Sequence, residues 1–305
     1  MGDVVISIDA ELAWGYHDLD AVPDRIDAAR DGWHAALRLL DRYDLPATWA
    51  IVGHLFLDEC DGVHDGHPLS PEWFSCEPGR ATDEDDWRAP DLIESVAAAD
   101  QDHEIGSHTF SHVVFDAVDG AVADAELAEW RAATEGFDVA GESLVHPRNW
   151  VAHRDVLAER DFTCYRGTGP DRWYADLPFR SLLKLLDWSP AGVGPPVITP
   201  EVDEHGLVDV SMSLYLFSFE GAPRRVARLL GRRPVVSVAK RGIDEAVDAD
   251  GVFHMWFHPH NLLQPDGRER LDAIFEHVAR RRSETDLEVR TMGSVARTVK
   301  TEPED

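Results

Sequence analysis

Short apolar runs alternate along this chain with longer segments of helical periodicity. Val4-Val5-Ile6-Ser7-Ile8 is a run rich in β-branched residues, typical of a strand buried on both faces of a parallel sheet. Residues 25–43 then place apolar side chains three and four positions apart, as an amphipathic helix does. Further strands are predicted at 47–52, 103–107, 143–146, 162–166, 207–212, 251–257 and 286–291. Further helices are predicted at 91–100, 121–137, 154–160, 179–186, 223–230, 238–247, 268–282 and from 294.

This repeated strand–helix alternation predicts a sheet of parallel strands. Seven or eight strands over about 290 residues suit a (β/α) barrel. A doubly wound open sheet is the alternative, but no glycine-rich phosphate turn follows the first strand. We therefore predict one α/β barrel domain over residues 1–297, with a long inserted loop at 57–90, a divergent region at 167–250 and a polar tail at 298–305.

The charge of the chain is unusual and narrows the range of partners. Acidic residues number 58 against 29 basic ones, and the formal net charge is −29. This Asp/Glu-rich and Lys-poor profile resembles that of proteins from salt-adapted (halophilic) cells, in which molar salt screens the repulsion. It argues against nucleic acid and against anionic membrane surfaces as partners, because both attract basic patches. The sequence leaves the oligomeric state open.

The cysteines and the N-terminal residues bear on the compartment. Cys60, Cys76 and Cys164 show no metal-motif spacing and form an odd set, which suits a reducing cytoplasm, although a Cys60–Cys76 bridge stays open. We find no charged and apolar leader resembling a signal peptide and no run long enough for a transmembrane helix. The expectation is a cytoplasmic protein.

A pair of histidines, His108 and His112, is the first candidate for chemistry. Their spacing of four places both rings on one face of a helical turn, where a single metal ion can contact both. Two polar residues on an exposed turn would show the same spacing, so the pair alone is weak evidence. Other polar residues follow further predicted strands, and in a parallel barrel such strand ends form the site. They are Asp9, Glu11, Arg148, His258 and His260.

Taken together, these stretches resemble the polysaccharide deacetylases (carbohydrate esterase family four, the NodB-homology superfamily). Ser7-Ile8-Asp9-Ala10-Glu11 is similar to the family's first motif, with one residue inserted between the acids, and His108-Thr109-Phe110-Ser111-His112 to its second. Pro147-Arg148 and Trp256-Phe257-His258 resemble later motifs, and Leu45-Pro46-Ala47-Thr48-Trp49 the second-strand sequence. The family's fourth motif has only Asp171 and Trp173 as candidates. The resemblance implies a distorted, TIM-like (β/α)7-type barrel.

The same resemblance implies roles for the candidate residues. Glu11, His108 and His112 would bind one divalent metal ion, zinc first, with cobalt or manganese as alternatives. Asp9 would be the general base, oriented by Arg148, and His258 the general acid. Which of Asp9 and Glu11 is the metal ligand is left open. Aromatic and polar side chains near the site would contact the sugar: Trp14, Tyr16, Trp256 and His260, with Trp73 and Trp87 as further stacking candidates.

The activity implied is hydrolysis that removes an N-acetyl or O-acetyl group from a sugar or glycan precursor. Some members of the superfamily instead open cyclic amides or imides, as allantoinase does, and the poor match to the fourth motif keeps that alternative open. A third alternative is a silent barrel that binds glycan without turnover.

Overall fold

A curled sheet of ten strands forms the centre of the described part of this chain. The structure is a computed structural model, and it describes residues 2–17, 19, 23, 26, 28–74, 84–137, 139–170, 194–218, 234–264 and 266–301. The strands are β1 (Asp3–Ala10), β2 (Thr48–Ile51), β3 (Glu104–Ser107), β4 (Ser143–Val145), β5 (Cys164–Arg166), β6 (Glu201–Val202), β7 (Val208–Asp209), β8 (Leu214–Tyr215), β9 (Val252–Phe257) and β10 (Glu288–Arg290).

Helices follow most of these strands, as the alternation predicts. They are α1 (Ala29–Tyr43), α2 (Pro71–Phe74), α3 (Pro90–Ala97), α4 (Gly120–Ala133), α5 (Arg154–Glu159), α6 (Pro234–Ala249), α7 (Gly267–Glu284) and α8 (Met292–Thr301). Local chemistry sets several of their ends. Pro90 occupies the first turn of α3, and the Asp119 side chain accepts hydrogen bonds from the Ala121 and Val122 amides at the start of α4.

Strand β1 is the centre of the sheet, and all eight of its residues are buried. The strand order is β6-β7-β5-β4-β3-β2-β1-β9-β8, with β10 also paired to β1. Strand β1 is parallel to β2, β9 and β10, and β9 pairs with it from Asp3 to Ile8. Because these strands are parallel, their carboxyl ends lie at the same edge of the sheet.

Residues 207–216 link the two ends of this strand order. On the β5 side, Val208 N donates to Thr163 O at 2.9 Å and Val210 N donates to Tyr165 O at 3.0 Å. Ser213 N and Leu216 N donate to β9 carbonyls at 2.8 and 3.0 Å. One stretch of chain thus pairs with both β5 and β9, and the sheet has a curled, barrel-like form of mostly parallel strands, which confirms the predicted α/β barrel class.

The boundaries of several elements differ from the sequence prediction. The strand predicted at 207–212 is only two residues long, β7, which pairs with β5; a further short strand that was not predicted, β8, follows it and pairs with β9. The sequence did not predict β6, whose two residues are exposed and pair antiparallel with β7. Helix α8 runs to Thr301, into the predicted polar tail. The helices predicted at 179–186 and 223–230 lie outside the described residues.

None of the described helices combines the length and apolar character needed to cross a lipid bilayer.

Candidate active site

The candidate functional residues meet at the carboxyl edge of the sheet. They are carried by β1 and the residue after it, by the loop after β3, by the last residue of β5 and by the residue after β9. Each strand is short and buried, so a polar side chain at its end points into a shared site rather than to bulk solvent. The residues are Asp9, Glu11, His108, His112, Arg166 and His258.

Asp9 is held by a buried arginine. Both carboxylate oxygens accept hydrogen bonds from Arg166, at 2.6 Å from Nη1 and 2.8 Å from Nη2. Asp9 is 3% exposed and Arg166 0% exposed. This two-point contact fixes the plane of the carboxylate, which a single hydrogen bond would leave free to rotate.

The charge of Arg166 keeps Asp9 ionised. Burial alone would raise the pKa of the Asp9 carboxyl group, because the charged form loses hydration. The charge and hydrogen bonds of Arg166, together with His108 and His258, outweigh burial and hold the pKa of Asp9 below its ordinary value. Asp9 is therefore a carboxylate at neutral pH, able to accept a proton.

Arg166 is itself fixed by a set of neutral groups. Its guanidinium donates to Ser7 Oγ at 3.0 Å and to Asn149 Oδ1 at 2.7 and 3.2 Å. Its Cζ lies 4.4 Å from the ring centroid of Trp256, a cation–π contact. His254 hydrogen-bonds Ser7 at 2.8 Å, and burial followed by the charge of Arg166 lowers the pKa of His254 to about 3. His254 is therefore neutral and adds no second charge.

Glu11, His108 and His112 form a compact group of three ligand atoms. Glu11 Oε2 lies 3.3 Å from His108 Nε2 and 3.1 Å from His112 Nε2. All three ligand atoms lie within 4.8 Å of one another, and all three residues are buried. Of the two acids that the sequence left open, it is Glu11 that contacts the imidazoles, while Asp9 contacts the guanidinium.

The donor set fits a divalent metal ion. His108 Nδ1 lies 2.7 Å from Val145 O, and since a carbonyl only accepts, Nδ1 carries a proton. In the neutral ring, that tautomer leaves the lone pair of Nε2 facing Glu11 Oε2 at 3.3 Å. A metal ion between these two atoms would use the lone pairs of both. One carboxylate and two imidazoles are a zinc ligand set.

A buried carboxylate supports the histidine segment from behind. Glu126, which is 0% exposed, accepts hydrogen bonds from Ser111 N at 2.8 Å and from Ser111 Oγ at 2.6 Å. Trp73 Nε1 donates to the same hydroxyl at 2.8 Å. These contacts hold the backbone between the two histidines and thereby fix the direction of both rings.

His258 faces both acids of the site. Its Nε2 lies 3.4 Å from Glu11 Oε1 and 3.9 Å from Asp9 Oδ2. Its side chain is 19% exposed, whereas the side chains of His108 and His112 are 1% and 4% exposed. The more open position lets His258 contact an incoming molecule. His260 stands 5.0 Å away, ring to ring, and its Nε2 is 3.3 Å from the hydroxyl of Tyr16.

The structure corrects two of the expected roles. Arg148 was expected to hold Asp9, but the guanidinium buried against Asp9 is that of Arg166; Arg148 is exposed and donates to Gly15 O at 3.4 Å. Trp14 was expected to offer an exposed face for a sugar, but it is 0% exposed and its Nε1 donates to Trp87 O.

The other expected contact residues differ in exposure. Trp256 and Trp73 are partly exposed and remain candidates for substrate contact. Tyr16 is 9% exposed, His260 7% and Trp87 2%, so they line or support the site from within. Asp171 and Trp173 lie outside the described residues.

Strained backbone concentrates around the site. Ten non-glycine residues among those described have positive φ, a conformation that side chains disfavour. Six of them lie in the loops that follow β1, β3 and β4. They are Leu12 (φ 43°), Thr109 (φ 61°), His112 (φ 59°), Arg148 (φ 59°), Asn149 (φ 58°) and His153 (φ 53°). The surrounding contacts therefore impose the loop conformations that aim these side chains.

Sequence reasoning missed Arg166 and Asn149. The available signal for Arg166 was its place as the last residue of a predicted buried strand, the criterion that selected the other site residues. Asn149 follows Pro147-Arg148 directly, but nothing in the sequence pairs it with β5.

The described part of the chain thus combines a barrel-like sheet with a candidate metal triad at its carboxyl edge. Residues 19–143 match the polysaccharide deacetylase family model, a range that includes His108 and His112 but not Asp9, Arg166 or His258. The matched range spans less than half of the 305 residues. The comparison with curated proteins finds no match.

Solved structures with the same fold cover nearly all of this chain. A protein of Mycobacterium smegmatis with a provisional polysaccharide deacetylase assignment aligns at TM-score 0.62 and 17% identity, over 99% of this chain and 94% of its own. The allantoinase Puue aligns at TM-score 0.59 and 14% identity, over 99% of this chain and 92% of its own. A provisionally assigned polysaccharide deacetylase of Pseudomonas aeruginosa PAO1 aligns at TM-score 0.61 and 12% identity, over 99% of this chain and 92% of its own. At these identities the likeness concerns the fold.

Proposed function

We propose that this chain is a metal-dependent deacetylase that removes an acetyl group, N-linked by preference, from a sugar or glycan precursor. The observation that carries the proposal is the meeting, in one site, of the Glu11–His108–His112 group, the Asp9–Arg166 pair and His258. Such a site contains what acyl hydrolysis requires: a place for a metal, a general base and a proton donor.

The candidate ligands have one function in this proposal. Glu11, His108 and His112 would hold a divalent ion, zinc by preference. When bound, that ion supplies Lewis acidity for the acyl oxygen and acidity for water.

Asp9 is the general base of the proposed reaction. Its carboxylate takes the proton from a water molecule as the water attacks the acetyl carbonyl carbon. Arg166 positions the carboxylate and keeps it ionised, and both effects favour transfer at neutral pH. The bidentate contact uses one lone pair of each carboxylate oxygen, so the second lone pair remains for the proton.

His258 is the general acid. Its Nε2 lies within 4 Å of both acids, so a proton on this nitrogen is next to the point where the acyl group must lie. It delivers the proton to the departing amine as the carbon–nitrogen bond breaks. The partly exposed indole of Trp256, which packs against Arg166, would contact the sugar ring.

Two assays run in parallel test the substrate class. The purified chain, loaded with zinc in molar KCl, is given N-acetylglucosamine oligomers and a nucleotide-linked N-acetyl sugar, and acetate release is measured. Allantoin and hydantoin are given separately, and ring opening is measured. Acetate release supports the proposal, whereas ring opening without acetate release replaces it by the cyclic-amide alternative, and no turnover with bound metal replaces it by the silent barrel.

Variants test the assigned roles. Asp9→Asn should abolish turnover and keep the metal, because Asp9 contacts the guanidinium rather than the two imidazoles. His108→Ala should lose the metal. Asp116→Asn, an exposed aspartate in the loop after β3, is the matched control and should retain both. Full activity in Asp9→Asn would contradict the assignment of the base.

A further inference from the structure

A second group of metal-binding side chains lies outside the site described above. His54 belongs to the 3-10 helix Gly53–Phe56 that follows β2, and Cys60 and His64 belong to the loop after it. His54 Nε2 and His64 Nε2 are 3.2 Å apart. Cys60 Sγ lies 3.6 Å from the first of these nitrogens and 3.4 Å from the second. The three donor atoms therefore form a small triangle.

The size of this triangle matches a tetrahedral zinc site. With zinc–nitrogen bonds of about 2.05 Å and a zinc–sulfur bond of about 2.3 Å, tetrahedral angles separate two nitrogens by about 3.3 Å and nitrogen from sulfur by about 3.6 Å. The separations between the donor atoms of His54, Cys60 and His64 are 3.2, 3.4 and 3.6 Å. A planar three-ligand arrangement would separate the two nitrogens by about 3.6 Å and nitrogen from sulfur by about 3.8 Å, which is longer than the separations observed.

Hydrogen bonding alone accounts poorly for this arrangement. Each imidazole Nε2 offers either one N–H or one lone pair, in a single direction, so the three contacts of the triangle cannot all be well-aligned hydrogen bonds. Burial lowers the pKa of His54 well below its ordinary value, which disfavours an extra proton on that ring. A cation bound above the plane of the triangle, as in a tetrahedral site, would use one lone pair of each donor atom.

We propose that His54, Cys60 and His64 bind a second divalent metal ion, of the zinc class, at a structural site. Two imidazoles and a thiolate favour zinc over the hard cations, which prefer oxygen ligands. A water molecule can complete the tetrahedron. Binding releases the thiol proton of Cys60 to solvent, because the thiolate is the ligand.

This site would brace the histidine segment of the first site. Gly53 N donates to Thr109 O, and His54 N donates to Phe110 O, both at 2.9 Å. The His54 ring lies 4.9 Å from the Phe110 ring and 4.3 Å from the Trp14 ring. A metal on His54 would therefore fix the loop at residues 57–70 against the backbone between His108 and His112.

The surroundings of His64 suit a metal ligand. Its Nδ1 faces Glu129 Oε2 at 3.9 Å, and its ring packs 4.5 Å from Phe74 and 4.9 Å from Phe110. A carboxylate behind a ligating imidazole is a common outer partner, and apolar rings exclude water from the bonds. The proposed site does not depend on the deacetylase assignment, because none of its ligands belongs to the first site.

Cobalt(II) is the probe, since a cobalt–thiolate bond gives a charge-transfer band in the near ultraviolet. The metal-free protein, residues 1–305, is titrated with cobalt(II) in molar KCl, and the number of ions bound per chain and the intensity of this band are recorded. Wild type should bind two cobalt ions per chain and show the band. Glu11→Gln should bind one and keep the band, whereas Cys60→Ser should bind one and lose it.

Two further variants keep the test decisive. Cys164→Ser, at a buried free cysteine elsewhere in the chain, is the matched control and should bind two ions with the band intact. His64→Gln should lose the band as Cys60→Ser does, and circular dichroism verifies that each variant is folded. One cobalt ion per wild-type chain without the band, or a band that survives Cys60→Ser, would overturn the second site while leaving acetate release unaffected as a separate question.

Discussion

Arg166→Gln removes the buried cation that holds Asp9. Arg166 makes five hydrogen bonds, two to Asp9, one to Ser7 and two to Asn149, and it is fully buried. Removing one partner of a buried ion pair costs about 3–5 kcal/mol of unfolding free energy, because the other charge stays buried without compensation. We expect a loss in that range, since Asp9 is only 3% exposed.

The same substitution should change the pH dependence of turnover. Without Arg166, burial becomes the dominant effect on Asp9 and raises the pKa of its carboxyl group. Because the base must be ionised, the acid limb of the pH–rate profile should move to higher pH. Loss of a correctly placed general base lowers the rate by about 10²–10⁴-fold.

Chemical denaturation and pH–rate profiles of three variants form the assay. Arg154→Gln is the matched control, since Arg154 pairs with Asp203 and Glu204 at a partly exposed position and should cost about 0–1 kcal/mol. In an Asp9→Asn background, Arg166→Gln should lower the unfolding free energy much less than in wild type, because residue 9 then carries no charge that would stay buried without a partner. Equal costs for Arg166→Gln and Arg154→Gln, with an unmoved acid limb, would refute the reasoning.

Three other perturbations test separate features. Gly15→Ala would place a Cβ 2.1 Å from Glu11 Oε1 and should weaken metal binding at the first site, as measured by calorimetry. Gly120→Ala is the control, because the nearest atom to its Cβ would be 3.8 Å away, and its metal affinity should stay that of wild type. Equal metal affinities for the two variants would contradict the placement of Glu11. Burial lowers the pKa of His146 to about 3, so the unfolded chain binds one more proton between about pH 3 and 6.5 and stability falls on acidification. His146→Gln should therefore flatten the acid side of the stability curve by about 1.4 kcal/mol per pH unit, and parallel curves would show that His146 titrates normally. The net charge of −29 makes the folded chain repel itself, and the Debye length falls from about 10 Å at 0.1 M salt to about 3 Å at 1 M. The midpoint temperature of thermal unfolding should therefore rise between about 0.1 and 1 M KCl. A midpoint that does not change with KCl would rule out salt adaptation.

Most of the fold could be predicted because local pattern and tertiary structure agree. The apolar run Val4–Ile8 is a strand buried on both faces, and the periodic segment that ends at Tyr43 is a helix. The prediction was weakest where elements are two residues long and exist only through pairing. Strands β6 and β8 are such elements, since hydrogen bonds to distant strands create them and no periodicity marks them.

The candidate site shows the same division. The sequence alone determined that His108, His112, Asp9, Glu11 and His258 stand at the ends of strands, because strand ends are local features. It also determined the acidic surface, which composition fixes.

Only the tertiary structure decided which of these residues contact one another. It paired Asp9 with Arg166, 157 positions away, and left Arg148 exposed, because β4 and β5 end at different places around the curled sheet. It brought Glu11 rather than Asp9 to the two imidazoles. The sequence cannot fix such contacts, since a side chain at a strand end has several neighbours within reach and the register of the sheet selects among them.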